Sequence, residues 1–105
     1  MAAKEYLKIN GVYVQIGGPV FDIVTLPGNK VAVVGEHLIL TGANQYITLP
    51  SSPGVGDEVR ISTNESKTTN VVSSGLNING STENLIINRE WTTVTFTYTS
   101  IGWRS

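Results

Sequence analysis

The chain has 105 residues, eight acidic side chains against seven basic ones, and no cysteine. A domain of that length buries only about two-thirds of the surface of its unfolded chain. Without thiols it has no disulfide staple, no thiolate metal site and no cysteine nucleophile. The basic residues run from Lys4 to Arg104 without a cluster, which argues against binding nucleic acid by phosphate neutralisation. No apolar run is long enough for a membrane-spanning helix. Met1 to Tyr6 lacks the apolar segment of a signal peptide, so synthesis in a cytoplasm without export by that route is expected. Charged residues are only 14% of the chain, and the polar surface must come from Thr, Ser and Asn. Threonine suits strands, asparagine and serine suit turns.

Residues 4–16 read as a β-hairpin. Asn10-Gly11 is the preferred two-residue type I′ turn, since both central positions need positive φ. Pairing across it sets Ile9 opposite Val12 and Leu7 opposite Val14, and opposed side chains share a face. Leu7, Ile9, Val12, Val14 and Ile16 then form one apolar face, with Tyr6, Lys8, Tyr13 and Gln15 on the other. A two-stranded ribbon is marginal in water and must lie on something. The expected organisation is an N-terminal hairpin arm over 1–18, anchoring or joining subunits, and a β-module over 19–105.

Gly17-Gly18-Pro19 breaks the ribbon, and Val20 to Leu26 and Val31 to Val34 read as short strands around Pro27-Gly28-Asn29-Lys30. The next pair, Glu36 to Leu40 and Gln45 to Leu49, turns at Thr41-Gly42-Ala43-Asn44. Further strands are expected at Glu58 to Ser62, Val71-Val72, Leu76 to Ile78, Leu85 to Ile87 and Val94 to Tyr98. The run Leu85-Ile86-Ile87 suggests burial on both faces. Leu40, Gly42, Ile47 and Leu49 also align with Ile78, Gly80, Leu85 and Ile87, as two similar hairpins would. Short strands about ten residues apart, with Gly and Asn turns and no amphipathic helix, indicate an all-β domain: a small antiparallel β-sandwich or jelly-roll-like barrel.

Catalytic signals are weak. His37 is the one histidine, and no Gly-x-Ser-x-Gly elbow accompanies it. Zinc wants three or four His or Cys ligands. Asp57 and Glu58 lack the spacing of a calcium loop, and with Glu83 or Glu90 they make only a loose carboxylate pair. No catalytic residue, cofactor or metal is assigned. The aromatic residues are more informative. Phe96 and Tyr98 share a face with Val94 and read as core. Trp91 and Trp103 fall outside that alternation and are the candidates for stacking on a glycan or contacting a partner. Thr93, Thr95, Thr97 and Thr99 line the opposite face, as a solvated surface or a symmetry contact.

Leu49-Pro50, then Gly56 to Ile61, Ile78-Asn79-Gly80 and Gly102-Trp103 follow one another in an order that resembles small β-modules of bacteriophage virion proteins: capsid decoration or cement proteins, head fibres, and tail-fibre or spike domains. Leu7 to Val14 similarly resembles the opening hairpin by which such proteins dock on the particle. The resemblance spans about residues 36–104. It implies a structural protein of the virion, made in the host cytoplasm, displayed as a homotrimer and partnered by other virion proteins such as the major capsid protein. It implies no enzymatic activity, nucleic acid or membrane. The alternative it leaves is a tail-fibre or spike-tip module that binds host-surface glycans. An enzyme subunit, such as part of a polysaccharide depolymerase, is a third reading.

Overall fold

A computed structural model of the chain describes the backbone of Glu5–Ile9 and Val12–Ile16, and residues 21–64 and 68–105 in full. Among the described residues all regular structure is β. The strands are β1 (Glu5–Ile9), β2 (Val12–Ile16), β3 (Asp22–Leu26), β4 (Lys30–Val31), β5 (Glu36–Leu40), β6 (Tyr46–Thr48), β7 (Glu58–Ser62), β8 (Thr69–Val72), β9 (Leu85–Ile87), β10 (Thr93–Thr99) and β11 (Gly102–Arg104). β1 and β2 pair antiparallel as a sheet of their own, with Leu7 opposite Val14 and Ile9 opposite Val12. The Asn10-Gly11 turn, the side chains of both strands and the arm boundary at residue 18 lie outside the described residues.

The remaining strands form two mixed sheets, ordered β11-β10-β7-β5-β3 and β4-β6-β8-β9. From β3 to β8 the chain visits the two sheets alternately, and each visit stacks parallel on the last. Val24 lies beside Leu38 and Leu38 beside Ile61 in one sheet, and Ile47 lies beside Val71 in the other. The pairs β3–β4, β5–β6 and β7–β8 are thus successive coils of one winding. The direction then reverses. β9 runs antiparallel to β8, β10 antiparallel to β7, and β11 folds back on β10. The inward side chains of both sheets, among them Leu38, Leu40, Ile47, Val59, Ile61, Val71 and Phe96, meet in one buried core.

Antiparallel pairing throughout, as a jelly roll requires, is therefore not what the chain adopts. β5 and β6 do not pair with each other; they lie in different sheets. The reason is in the corner between them. Gly42 sits so close to the previous corner that a Cβ there would lie 2.2 Å from the carbonyl oxygen of Pro27. The buried Gln45 side chain joins the two corners. Its Oε1 accepts from Gly42 N at 2.8 Å, and its Nε2 donates to Leu26 O at 3.3 Å and Gly28 O at 2.5 Å. Corner is thereby stacked on corner, and parallel stacking of the strands follows. The apparent repeat of two hairpins dissolves for the same reason, because residues 40–49 make no hairpin.

Two smaller expectations also change. Leu76 to Ile78 is no strand: Ile78 makes only isolated bridges, to Ser81 and Trp103. Ile86 is 59% exposed, because β9 is an edge strand with only one face on the core.

Candidate functional site

The outer face of the five-stranded sheet carries the densest polar arrangement. Strand alternation turns Val59 and Ile61 inward, so Glu58, Arg60 and Ser62 face out. Register then sets His37 beside Arg60 and Arg60 beside Thr95, with Ser62 beside Thr93 and Glu58 beside Thr97. Hydrogen bonds tie these positions together, His37 reaching diagonally to Ser62 rather than to Arg60 beside it. His37 Nε2 and Ser62 Oγ are 2.7 Å apart, and Ser62 Oγ is 2.7 Å from Thr93 Oγ1. Arg60 Nε donates to Thr95 Oγ1 at 3.1 Å, and Thr97 Oγ1 donates to Glu58 Oε2 at 3.1 Å. Phe21 covers the guanidinium of Arg60 at 4.2 Å from the ring centroid and meets the His37 ring edge-on. Arg60 is buried as a result. Thr93, Thr95 and Thr97 are thus each held by a side chain of the neighbouring strand, which gives an ordered hydroxyl face.

The His37–Ser62 contact has the length of a nucleophile–base pair. Its electrostatics run the other way. Burial first, and the Arg60 charge second, lower the proton affinity of His37 below the usual imidazole value of 6.5. The carboxylate of a catalytic triad instead stabilises the imidazolium. The neutral ring is favoured in the fold, whereas the unfolded chain takes up a proton near 6.5. The stability this contributes is present above that pH and is lost as pH falls through the lower folded value. Urea midpoints measured from pH 7 down to about 5, above the ordinary carboxylate range, should therefore decline. His37→Asn should make that decline shallower.

Trp91 stands at a clamped turn. Thr63 Oγ1 donates to Arg89 O at 2.7 Å and accepts from Thr92 N at 3.0 Å, while Trp91 N donates to Asn64 O at 3.1 Å. The clamp holds Trp91 at φ 48°, a left-handed conformation uncommon for a large side chain, and leaves it 72% exposed. Trp103 is the opposite case. It is fully buried against Tyr98, with ring centroids 5.4 Å apart, so it belongs to the core and offers nothing to a glycan or partner. Its indole Nε1 has no hydrogen-bond partner among the described residues.

Trp103 also joins two segments distant in sequence. Trp103 N donates to Asn77 O at 2.8 Å, and Asn79 N donates to Trp103 O at 2.8 Å. Asn79 and Gly80 have φ of 50° and 81°, closing a tight turn between Ile78 and Ser81. Gly102 has φ 116° and packs so near Asn77 that a Cβ would lie 2.8 Å from its carbonyl oxygen. Ile78-Asn79-Gly80 and Gly102-Trp103 are therefore one structural unit.

The acidic residues do not assemble. Asp57 Oδ2 caps the Gly54 amide at 2.7 Å, Glu58 binds Thr97, and Glu83 and Glu90 are exposed. No group of three or more His, Asp or Glu residues suited to a metal ion occurs among the described residues. An open cleft of about 320 Å³ is lined by Asn29, Lys30, Val31, Tyr46 and Thr48 beside the first coil. Sequence reading missed Phe21, Arg60 and Gln45. The alternation of Glu58 to Ser62 placed Arg60 outward, but its cover comes from a residue outside any strand. In comparisons with known proteins, no family model and no curated protein matches the chain.

Proposed function

We propose that this chain is a bacteriophage virion structural module: a two-sheet, sandwich-like brick, homotrimeric, that docks on the particle as a capsid decoration, cement or head-fibre component. The observation that carries the reading is the junction of Ile78-Asn79-Gly80 with Gly102-Trp103. Two of the motifs behind the resemblance to virion modules, far apart in sequence, are in space a single hydrogen-bonded unit. Their order and spacing thus belong to the architecture. The ordered hydroxyl face suits a rigid contact surface better than turnover. No cofactor, nucleic acid or membrane enters this reading.

The N-terminal ribbon is the anchoring element, through Leu7, Ile9, Val12, Val14 and Ile16. Burying a large aliphatic side chain contributes about 1.5–2 kcal/mol before ordering costs, and repetition over a shell multiplies a modest contact. Protein added to particles that lack it should co-sediment with them. A variant without residues 1–18 should keep its β-type circular dichroism and stay in the supernatant. Co-sedimentation of that variant would remove the ribbon as anchor; failure of the whole chain to bind particles would remove the virion reading.

A second reading has its own observation, the rigid presentation of Trp91. A flat exposed indole held by a clamped turn is suited to stacking on a sugar ring, as in a tail-fibre or spike-tip module. Glycan-array binding that disappears in Trp91→Ala, with unchanged thermal unfolding, would establish it; an array blank for the native chain would dismiss it.

A further inference from the structure

Strand alternation turns Ile47, Val71 and Ile87 of the four-stranded sheet into the core, so their neighbours make up its outer face. Register sets these in two rows. Val31, Thr48 and Val72 stand side by side in one, and Tyr46, Asn70 and Ile86 in the other. Neither row holds a charged residue, whereas the outer face of the five-stranded sheet carries His37, Glu58 and Arg60. At the β4 side of the rows lies the open cleft of about 320 Å³. Tyr46 is 48% exposed and Val31 65% exposed, so an aromatic ring and an aliphatic side chain meet solvent together. Asn29 Oδ1 accepts from Tyr46 N at 2.8 Å, which fixes its carboxamide and leaves Nδ2 to donate elsewhere. The Thr48 hydroxyl has no partner among the described residues. Lys30, the one charged residue of the lining, is paired with Glu36 at 3.4 Å.

We infer that this cleft binds a neutral sugar ring, with Tyr46 as the stacking platform and Asn29 Nδ2 and Thr48 Oγ1 as contacts for its hydroxyls. Its volume lies at the small end for ligand sites, which combine apolar walls with a few placed polar groups. A pyranose matches both, offering C–H groups to the tyrosine ring and hydroxyls to the amide and the threonine. Other occupants fit less well. A nucleic acid or an anionic lipid needs free cationic groups, and Lys30 is already neutralised. A purely apolar ligand would bury Asn29 and Thr48 without partners. A protein interface of ordinary size takes about 20–30 residues a side, and this face presents six outward side chains. Trp91 does not line the cleft. The cleft is thus a sugar site apart from that of the second reading, and it stands whether or not the chain docks on particles.

The test is an NMR titration of the full-length chain with the methyl glycosides of glucose, galactose, mannose, N-acetylglucosamine and rhamnose at millimolar concentration. At least one should shift the backbone amides of Asn29, Tyr46 and Thr48. Tyr46→Ala should weaken that sugar by about tenfold. Thr48→Val, which suits a strand and removes only the hydroxyl, should weaken it by about fivefold, and decides the matter if Tyr46→Ala does not fold. Trp91→Ala should leave the shifts in place. Silence at all three amides with every sugar overturns the inference, as does a response only to glucuronate or N-acetylneuraminate. Shifts at these amides that follow protein concentration without sugar also overturn it, since a second copy then covers the face. Shifts lost in Trp91→Ala but kept in Tyr46→Ala place the sugar at Trp91, which overturns the inference and supports the second reading. Failure to co-sediment with particles bears on the virion reading alone.

Discussion

Gly42→Ala should destabilise the protein by about 3 kcal/mol or more, the upper range for forcing atoms into a packed site. The added Cβ would meet the Pro27 carbonyl oxygen at 2.2 Å, and backbone cannot swing away as a flexible side chain would. Relief requires separating the first two corners, which breaks the three hydrogen bonds of Gln45 at the same time. Gly28→Ala is the control in the same corner. Nothing lies within 4 Å of its Cβ position, and the change should move stability by no more than about 0.5 kcal/mol. Urea unfolding of the two variants reads the difference directly. Similar midpoints for both would mean that the corners are not stacked.

Trp103→Ala should cost about 3–5 kcal/mol, as for other large buried aromatic residues cut to alanine. For a domain of this size that lowers the melting temperature by roughly 12 °C or more. The ring fills the core beside Tyr98, whereas the backbone hydrogen bonds of residue 103 to Asn77 and Asn79 are available to alanine as well. Trp103→Phe separates packing from the indole nitrogen: it keeps most of the packing and deletes the indole N–H that lacks a partner. An unpartnered buried donor costs about 1–3 kcal/mol, so the phenylalanine variant should lose much less than the alanine one. Equal losses in both would point to a role for the indole nitrogen.

Local structure was legible wherever it rested on alternation or turn chemistry. Glu36–Leu40, Glu58–Ser62 and Leu85–Ile87 have the bounds their residue patterns indicate, and Leu7 and Ile9 pair as the Asn10-Gly11 turn requires. Phe96 is core because it shares a face with Val94 and Tyr98. Pairing direction was not legible. Thr41 to Asn44 reads as a hairpin turn because glycine and asparagine serve either a reversal or a corner. What decides is the Pro27 carbonyl against Gly42 and the buried Gln45, contacts between residues fifteen or more positions apart. Trp103 was misplaced for a related reason. A tryptophan after a turn glycine near a terminus looks exposed until Ile78 and Asn79 are brought beside it. Of the candidate surface, the threonine row was visible, whereas its partners Ser62, Arg60 and Glu58 appear only with the strand order.

The winding in parallel coils is the claim on which the stacked corners and the register of the threonine face depend. Cross-strand nuclear Overhauser effects test it most directly. Parallel stacking predicts contacts from Ile23 to the backbone around His37, and from His37 to the backbone around Arg60. Contacts joining Glu36–Leu40 to Tyr46–Thr48 in antiparallel register would contradict it.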